Sequence, residues 1–317
     1  MANRRVLVRR RKSVRNIRKI TRTMQLIATA RFQAAFNRAM ATKPYTQKLG
    51  ELAADLARAA GDVEHPLLAT HDEVKRGATV VLTSTRGLAG GYNASVLREA
   101  LGHLERQEAE GIETEVQMVG KKGISYFRFL RRPMAEQIAT IGERPRFEQV
   151  EPIANALMDR FLKGEIASAH VAYMRFLSAG QQRPVVVQLL PLAAEGAAGG
   201  DKEREKDRER AGAGGGAARE GKDAGGAEKR WAIEYEFSPS PRELLDELLP
   251  AIVRARLFQA FTDAAVSEQV ARMVAMKAAT DAAGDMIKAL SRQYNRARQT
   301  QITMELLDIV GGANALS

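Results

Sequence analysis

Three short stretches of this chain carry residues that could hold a phosphate. Gly216–Lys222 spells GAAREGK, which matches most of a phosphate-binding loop. The next residue is Asp223, not the Ser or Thr whose hydroxyl such a loop offers to magnesium, and no strand precedes it. The match therefore follows from low complexity. GLAGG at Gly87–Gly91 follows a short apolar strand but lacks the full dinucleotide spacing, so its glycines serve a tight turn. VGKKG at Val119–Gly123 is likewise a turn with two lysines. The four histidines, His65, His71, His103 and His170, contain no pair at metal-ligand helical spacing. His65 and His71 fall in a loop, where solvent is expected to satisfy them. With no cysteine, a disulfide, a zinc-thiolate site and a cysteine nucleophile are all excluded. No Ser/His/Asp arrangement is visible either. The expectation is a chain without catalytic, metal or cofactor-binding residues.

The elements around these stretches point to a mechanical object. The chain has 317 residues, 45% hydrophobic and only 5% aromatic, with abundant Ala, which favours helices over an all-β fold. No apolar run approaches the roughly 20 residues of a membrane span. No signal peptide is expected, because the basic start has no apolar stretch behind it. That start is Arg-rich and acid-free, as transit peptides are, but it merges into a helical pattern without a break. The net charge is +11, and the first 50 residues hold 14 Lys and Arg before the first acid, Glu51. A stripe this one-sided fits an acidic partner (nucleic acid, anionic lipid or protein), or a solvated basic face. No helix-turn-helix, zinc finger or stacking motif accompanies it, so nucleic acid is not the expected partner.

The chain divides into residues 1–60, 77–192, 193–230, 231–239 and 240–317. The first segment predicts one long helix, with Ile17, Ile20, Met24 and Ile27 at the spacing of a coiled-coil seam and with Phe32, Ala35 and Ala39 continuing it. Pro44 should kink or break this helix, and Gly61, Asp62 and Pro66 should end it. The second segment predicts strands at Thr79–Thr83, Glu115–Val119, Ala169–Arg175 and Val185–Leu190, with helices between. That alternation implies a central Rossmann-like α/β domain with a mostly parallel sheet. Residues 193–230 carry nine acidic and nine basic residues and almost no large apolar side chain, so a disordered low-complexity insert is expected. Trp231–Phe237 alternates like a last strand of the central domain.

The last segment predicts a very long helix. Ser240 can cap it, Pro241 fits its first position and Glu243 can close a capping box. Pro250 should kink it. Its seam runs over Met273, Met276, Thr280, Ala283, Ile287, Leu290, Tyr294 and Ala297. At 1.5 Å per residue the two terminal helices are about 80 Å and about 105 Å long, against about 40 Å for a compact central domain. Both must project from it, and they can pair as an antiparallel two-helix coiled coil that buries both seams. The far end of the longer helix, Ile302–Leu316, is apolar on more than one side and needs a sleeve of other protein.

Three separated motifs resemble the gamma subunits of F-type ATP synthases. SEQVARMVAMKAATDAAGDMI at Ser267–Ile287, YNRARQTQIT at Tyr294–Thr303 and the ensuing MELLDIVGGANA are similar to the family's C-terminal signature. IRKITRTM at Ile17–Met24 resembles its first helix, and STRGLAGGYN at Ser84–Asn93 its first strand and turn. The likeness covers nearly the whole chain except residues 193–230. Thr85 replaces a usually acidic residue, and Ala89 stands where Cys is frequent. The cysteine-based redox switch of chloroplast relatives is excluded.

The resemblance implies a rotor, non-catalytic in itself. Its helices would pass through a ring of three alpha and three beta subunits, and its α/β foot would meet the epsilon subunit and the c-ring. It would lie peripherally, through the complex, on the cytoplasmic face of a bacterial plasma membrane. By position, the family's contact residues carry over onto Met24, Arg272, Arg298, Gln299, Thr303 and Glu305. Two have an internal alternative. Met24 also fits the seam, and Arg272 stands one turn from Glu268, where an i,i+4 ion pair can form.

Overall fold

The computed structural model describes residues 4–59, 65–71, 73–192 and 241–316. The expected insert, the strand expected at Trp231–Phe237 and the Ser240 cap lie outside the described residues, as do Gly61 and Asp62. Helix α1 spans Arg4–Ala59 and helix α5 Pro241–Leu316. Between them come β1 (Arg76–Leu82), α2 (Tyr92–Ala109), β2 (Glu113–Val119), α3 (Lys121–Phe129), β3 (Glu136–Ile138), α4 (Phe147–Leu162), β4 (Ser168–Ser178) and β5 (Gln181–Leu190).

The five strands form one sheet in the order β3-β2-β1-β4-β5. All neighbours are parallel except the β4–β5 hairpin at the edge. Period-two alternation sends Val80, Leu82, Val171 and Tyr173 to one face, against α4 and α5, where they meet Leu157, Phe161 and Leu257. Val81, Val116, Met118 and Ala172 point to the other face, against α2 and α3. Among the described residues no helix is long and apolar enough to cross a membrane.

VGKKG proves to be a close approach between elements. Gly120 has φ +94, and a Cβ there would lie 2.1 Å from the Thr83 carbonyl oxygen. The Thr83 hydroxyl donates to the Val119 carbonyl at 2.7 Å and accepts the Gly123 N–H at 2.9 Å. It thus satisfies one of the orphan amides at the start of α3.

At 56 and 76 residues, α1 and α5 extend for about 84 Å and about 114 Å. Neither proline stops its helix: Pro44 lies inside α1 and Pro250 inside α5. The turns past Pro44 pack Leu49 on the central core, which offsets the lost backbone donor. From Phe261 to Val270 every residue of α5 is buried, as expected of a helix threaded through a protein interior. The two helices meet in opposite chain directions. Arg11 stacks over Tyr294, the Thr280 hydroxyl donates to that of Thr21 at 2.8 Å, and Ala35 and Ala39 pack on Val266.

From Phe32 onward the expected line on α1 is the observed one, with Ala35 and Ala39 buried, but before it the buried line differs. It is Leu7, Val14, Thr21, Ala28 and Ala35, one residue every seven, whereas Ile17, Ile20 and Ile27 are 52%, 59% and 47% exposed. At Thr21 and Ala28 small side chains let the helix axes approach, and isoleucines at those two positions would hold them apart. Met24 is half-buried at the edge of the contact. On α5 the expected line is the observed one: Met276, Thr280 and Ala283 are buried, and Met273, Ile287, Leu290, Tyr294 and Ala297 half-buried.

Candidate functional site

Two regions stand out, the junction where both long helices cross the central domain and the free end of α5. At the junction the Gly-rich turn after β1 docks on α5. Gly90, at φ +56, sits where an added Cβ would touch the Ala275 side chain at 3.5 Å. The Tyr92 hydroxyl donates to the Ala264 carbonyl at 3.3 Å. Burial, and after it the Glu268 carboxylate, pushes that phenol well above its ordinary range. The Ser84 amide donates to Asn93 Oδ1 at 2.9 Å and ties the turn to the first turn of α2. The Ser267 hydroxyl donates to the Met174 carbonyl on β4 at 3.1 Å.

In open sheets of this order, ligands bind beyond the strand carboxyl ends where the order reverses, between β1 and β4. Here α5 lies across that edge. STRGLAGGYN is therefore a helix-docking turn.

An ion cluster closes the junction. Arg272 on α5 is 5% exposed. Its Nη2 bonds Glu268 one turn back, so the i,i+4 pair allowed by the sequence is formed. Its Nη1 lies 3.5 Å from Glu143, in the loop between β3 and α4. The Glu143 carboxylate also pairs with Arg31 of α1, and lies 3.9 Å from Arg86 of the Gly-rich turn. Burial raises the Glu268 carboxyl above its ordinary range, against the opposing pull of Arg272. Sequence reasoning missed Glu143, Arg31 and Arg86. Each is a lone charge in a loop or on a helix, and only the chain crossing brings them together.

The remaining contact candidates sit far from this cluster. Arg298, Gln299, Thr303 and Glu305 are all exposed on the free end of α5. Thr303 bonds only back along its own helix, to the Gln299 carbonyl at 3.0 Å, and Glu305 accepts from Gln301 at 2.8 Å. Every residue from Arg298 to Gly311 is exposed, including Ile302, Met304, Leu306, Leu307, Ile309 and Val310.

The histidines also differ from expectation. His65 is buried. Its Nδ1 accepts the Leu67 amide at 3.0 Å, and its Nε2 lies 3.2 Å from Asp246 of α5. His71 meets Phe161 edge to face with ring centroids 4.8 Å apart, and its Nε2 is buried. Both were expected in solvent, but the loop that holds them folds onto the core. His103 of α2 and His170 of β4 bring their rings to 4.5 Å under α2. Burial lowers both, with Arg106 adding to the effect at His103. His170 falls to about 4, with His103 as the second cause. Spacing along one helix could not have revealed this pair. Among the described residues no group of three or more acidic, His or Cys side chains is placed to hold a metal.

The comparisons with known proteins concern the whole chain. The profile of the ATP synthase family matches residues 3–316. The ATP synthase gamma chain of Rhodopirellula baltica is 43% identical over 316 residues, covering 100% of this chain and 99% of that one. That of Leptospira biflexa is 35% identical over 317 residues, covering 100% of both. A chain of the Euglena gracilis mitochondrial ATP synthase, solved as an OSCP/F1/c-ring assembly, superposes with a TM-score of 0.61 at 18% identity over 99% of this chain and 94% of that chain. At that identity the likeness is one of fold. With a full-length profile and full-length relatives of this identity, the chain belongs to the ATP synthase gamma chain family.

Proposed function

We propose that this chain is the central rotating shaft of an F-type ATP synthase, a non-catalytic subunit that couples c-ring rotation to conformational change at catalytic beta subunits. The observation that carries this reading is the free end of α5. Its side chains are exposed on every side from Arg298 to Gly311, with six large apolar residues among them. Such a tip in water would aggregate, so it belongs inside a sleeve. A ring of three alpha and three beta subunits fits that need. The heptad-spaced buried residues of α1 and the opposite chain directions support an antiparallel two-helix coiled coil as the shaft. The α/β domain is its foot, toward the epsilon subunit and the c-ring. The complex holds it peripherally at the cytoplasmic face of a bacterial plasma membrane.

The shaft acts by differential contact. Each beta subunit meets a different face as the shaft turns, and a face shifts a beta subunit only if its contact energy differs between open and closed states. Arg298 and Gln299 offer donors to carboxylates and carbonyls of a surrounding loop, and Thr303 and Glu305 extend that surface. Met24 adds a half-buried contact on α1. Arg272 is engaged internally and reaches partners only through the placement of α5.

The test is to assemble the chain with alpha and beta subunits, fix the ring and attach a bead to the foot. Stepwise, unidirectional bead rotation on adding ATP is expected. A chain that assembles but leaves the bead stationary during ATP hydrolysis would overturn the reading. The sleeve argument would fail separately if the purified chain stayed monomeric with its C-terminal end protected from protease.

A further inference from the structure

We propose that Glu143 is a positioning residue that ties both shaft helices to the foot at one point and narrows the angle between foot and shaft that the packing alone allows. Its relevance to torque rests on the shaft reading above, but the lock itself does not.

The geometry has three parts. First, Glu143 collects arginines from three separate elements: Arg31 from α1, Arg272 from α5 and Arg86 from the turn after β1. No other ion pair described in the chain joins α1, α5 and the central domain at one point. Second, the carboxylate is itself fixed. Two residues before it, Ile141 is 5% exposed and packs in the main core. Three residues after it, the Arg146 amide donates to the Gln149 side chain at 3.2 Å in the capping box of α4. The loop is therefore pinned on both sides. Third, Glu143 Oε1 and Arg272 Nη1 face each other, buried, and among the described residues neither has a hydrogen-bond partner. Sliding or turning α5 would separate two desolvated opposite charges, which gives the contact a steep restoring force. The hydrogen bonds Thr280–Thr21, Ser267–Met174 and Tyr92–Ala264 each join α5 to one other element, whereas Glu143 engages α1, α5 and the central domain together.

The chain contains no cysteine, so two can be introduced as spin-label sites. Lys163, exposed after α4, reports on the foot, and Lys288, exposed on α5, reports on the shaft. Electron–electron double resonance on the full-length chain reads the distance distribution between them. Glu143→Gln should broaden it about twofold, as when a fixed contact becomes a hinge. Glu143→Asp, which keeps the charge, should restore most of the width. A general loss of stability would not broaden the distribution of molecules that remain folded. If Glu143→Gln fails to fold, Arg31→Gln decides, because the Arg31 side chain is 37% exposed and its loss leaves the buried pair intact. It should broaden the distribution in the same direction by a smaller factor. Parental widths in the variants that fold would overturn the lock. A broadened distribution together with a stationary bead in the rotation experiment would keep the lock and reject the shaft.

Discussion

The Arg272 guanidinium faces the Glu143 carboxylate at 3.5 Å, joining a helix near the C-terminus to a loop in the middle of the chain. The same guanidinium holds Glu268, so one buried cation serves two carboxylates. Removing it leaves Glu268 buried without its partner and leaves Glu143 only the more exposed Arg31 and Arg86. Arg272→Ala should therefore destabilise the chain by about 3–5 kcal/mol. Chemical denaturation followed by circular dichroism measures this, and a loss below about 1 kcal/mol would show the cluster is solvated.

The line of contact between α1 and α5 is tested by size. Ala28 is 1% exposed, so Ala28→Leu should overpack the helix pair and cost about 1–3 kcal/mol. Ile27 next to it is 47% exposed, and Ile27→Ser should change stability by no more than about 0.5 kcal/mol. Thermal unfolding of both variants would show the reverse order if the isoleucines formed the seam.

The His103–His170 pair sets a pH dependence. Burial holds the folded-state pKa of His170 at about 4, below the ordinary 6.5, and that of His103 is lowered too. The unfolded chain therefore binds these protons first. Their contribution to stability is intact above about pH 6.5 and is lost as the pH falls toward 4. Unfolding midpoints should decline over that window, and the decline should flatten in a His103→Leu, His170→Leu variant. An equal slope in parent and variant would assign the acid sensitivity to other groups.

The exposed end of α5 is tested in the assembled enzyme. Arg298→Ala combined with Gln299→Ala should leave the helicity of the isolated chain unchanged. Coupled ATP synthesis should fall at least about tenfold, equivalent to about 1.4 kcal/mol of differential contact. Unchanged synthesis rates would remove both residues from the partner surface.

Local patterns were enough to specify most of the elements, though not the three-residue strand β3. The apolar strands β1 and β2, which end at Leu82 and Val119, and the long terminal helices follow from side-chain periodicity and composition alone. The α5 line through Met276, Thr280 and Ala283 was legible for the same reason, because small and medium apolar residues recur there at a steady heptad interval. On α1 two apolar lines compete, and composition favours the wrong one. The isoleucines are more hydrophobic, but the close approach of a second helix selects Thr21 and Ala28. That choice belongs to the pair of helices and not to either sequence segment.

The junction was decided by tertiary structure altogether. Arg31, Arg86, Glu143 and Arg272 are ordinary charges in their own segments, and His103 and His170 are ordinary histidines. The four charges acquire partners, and the two histidines shifted protonation, only when β-strand order and helix crossing bring them together. Spacing along a chain reports neighbours on one helix or one strand, within a few residues. A carboxylate shared by elements from the start, middle and end of the chain leaves no trace at that range, because the closure of those long loops is set by the whole fold.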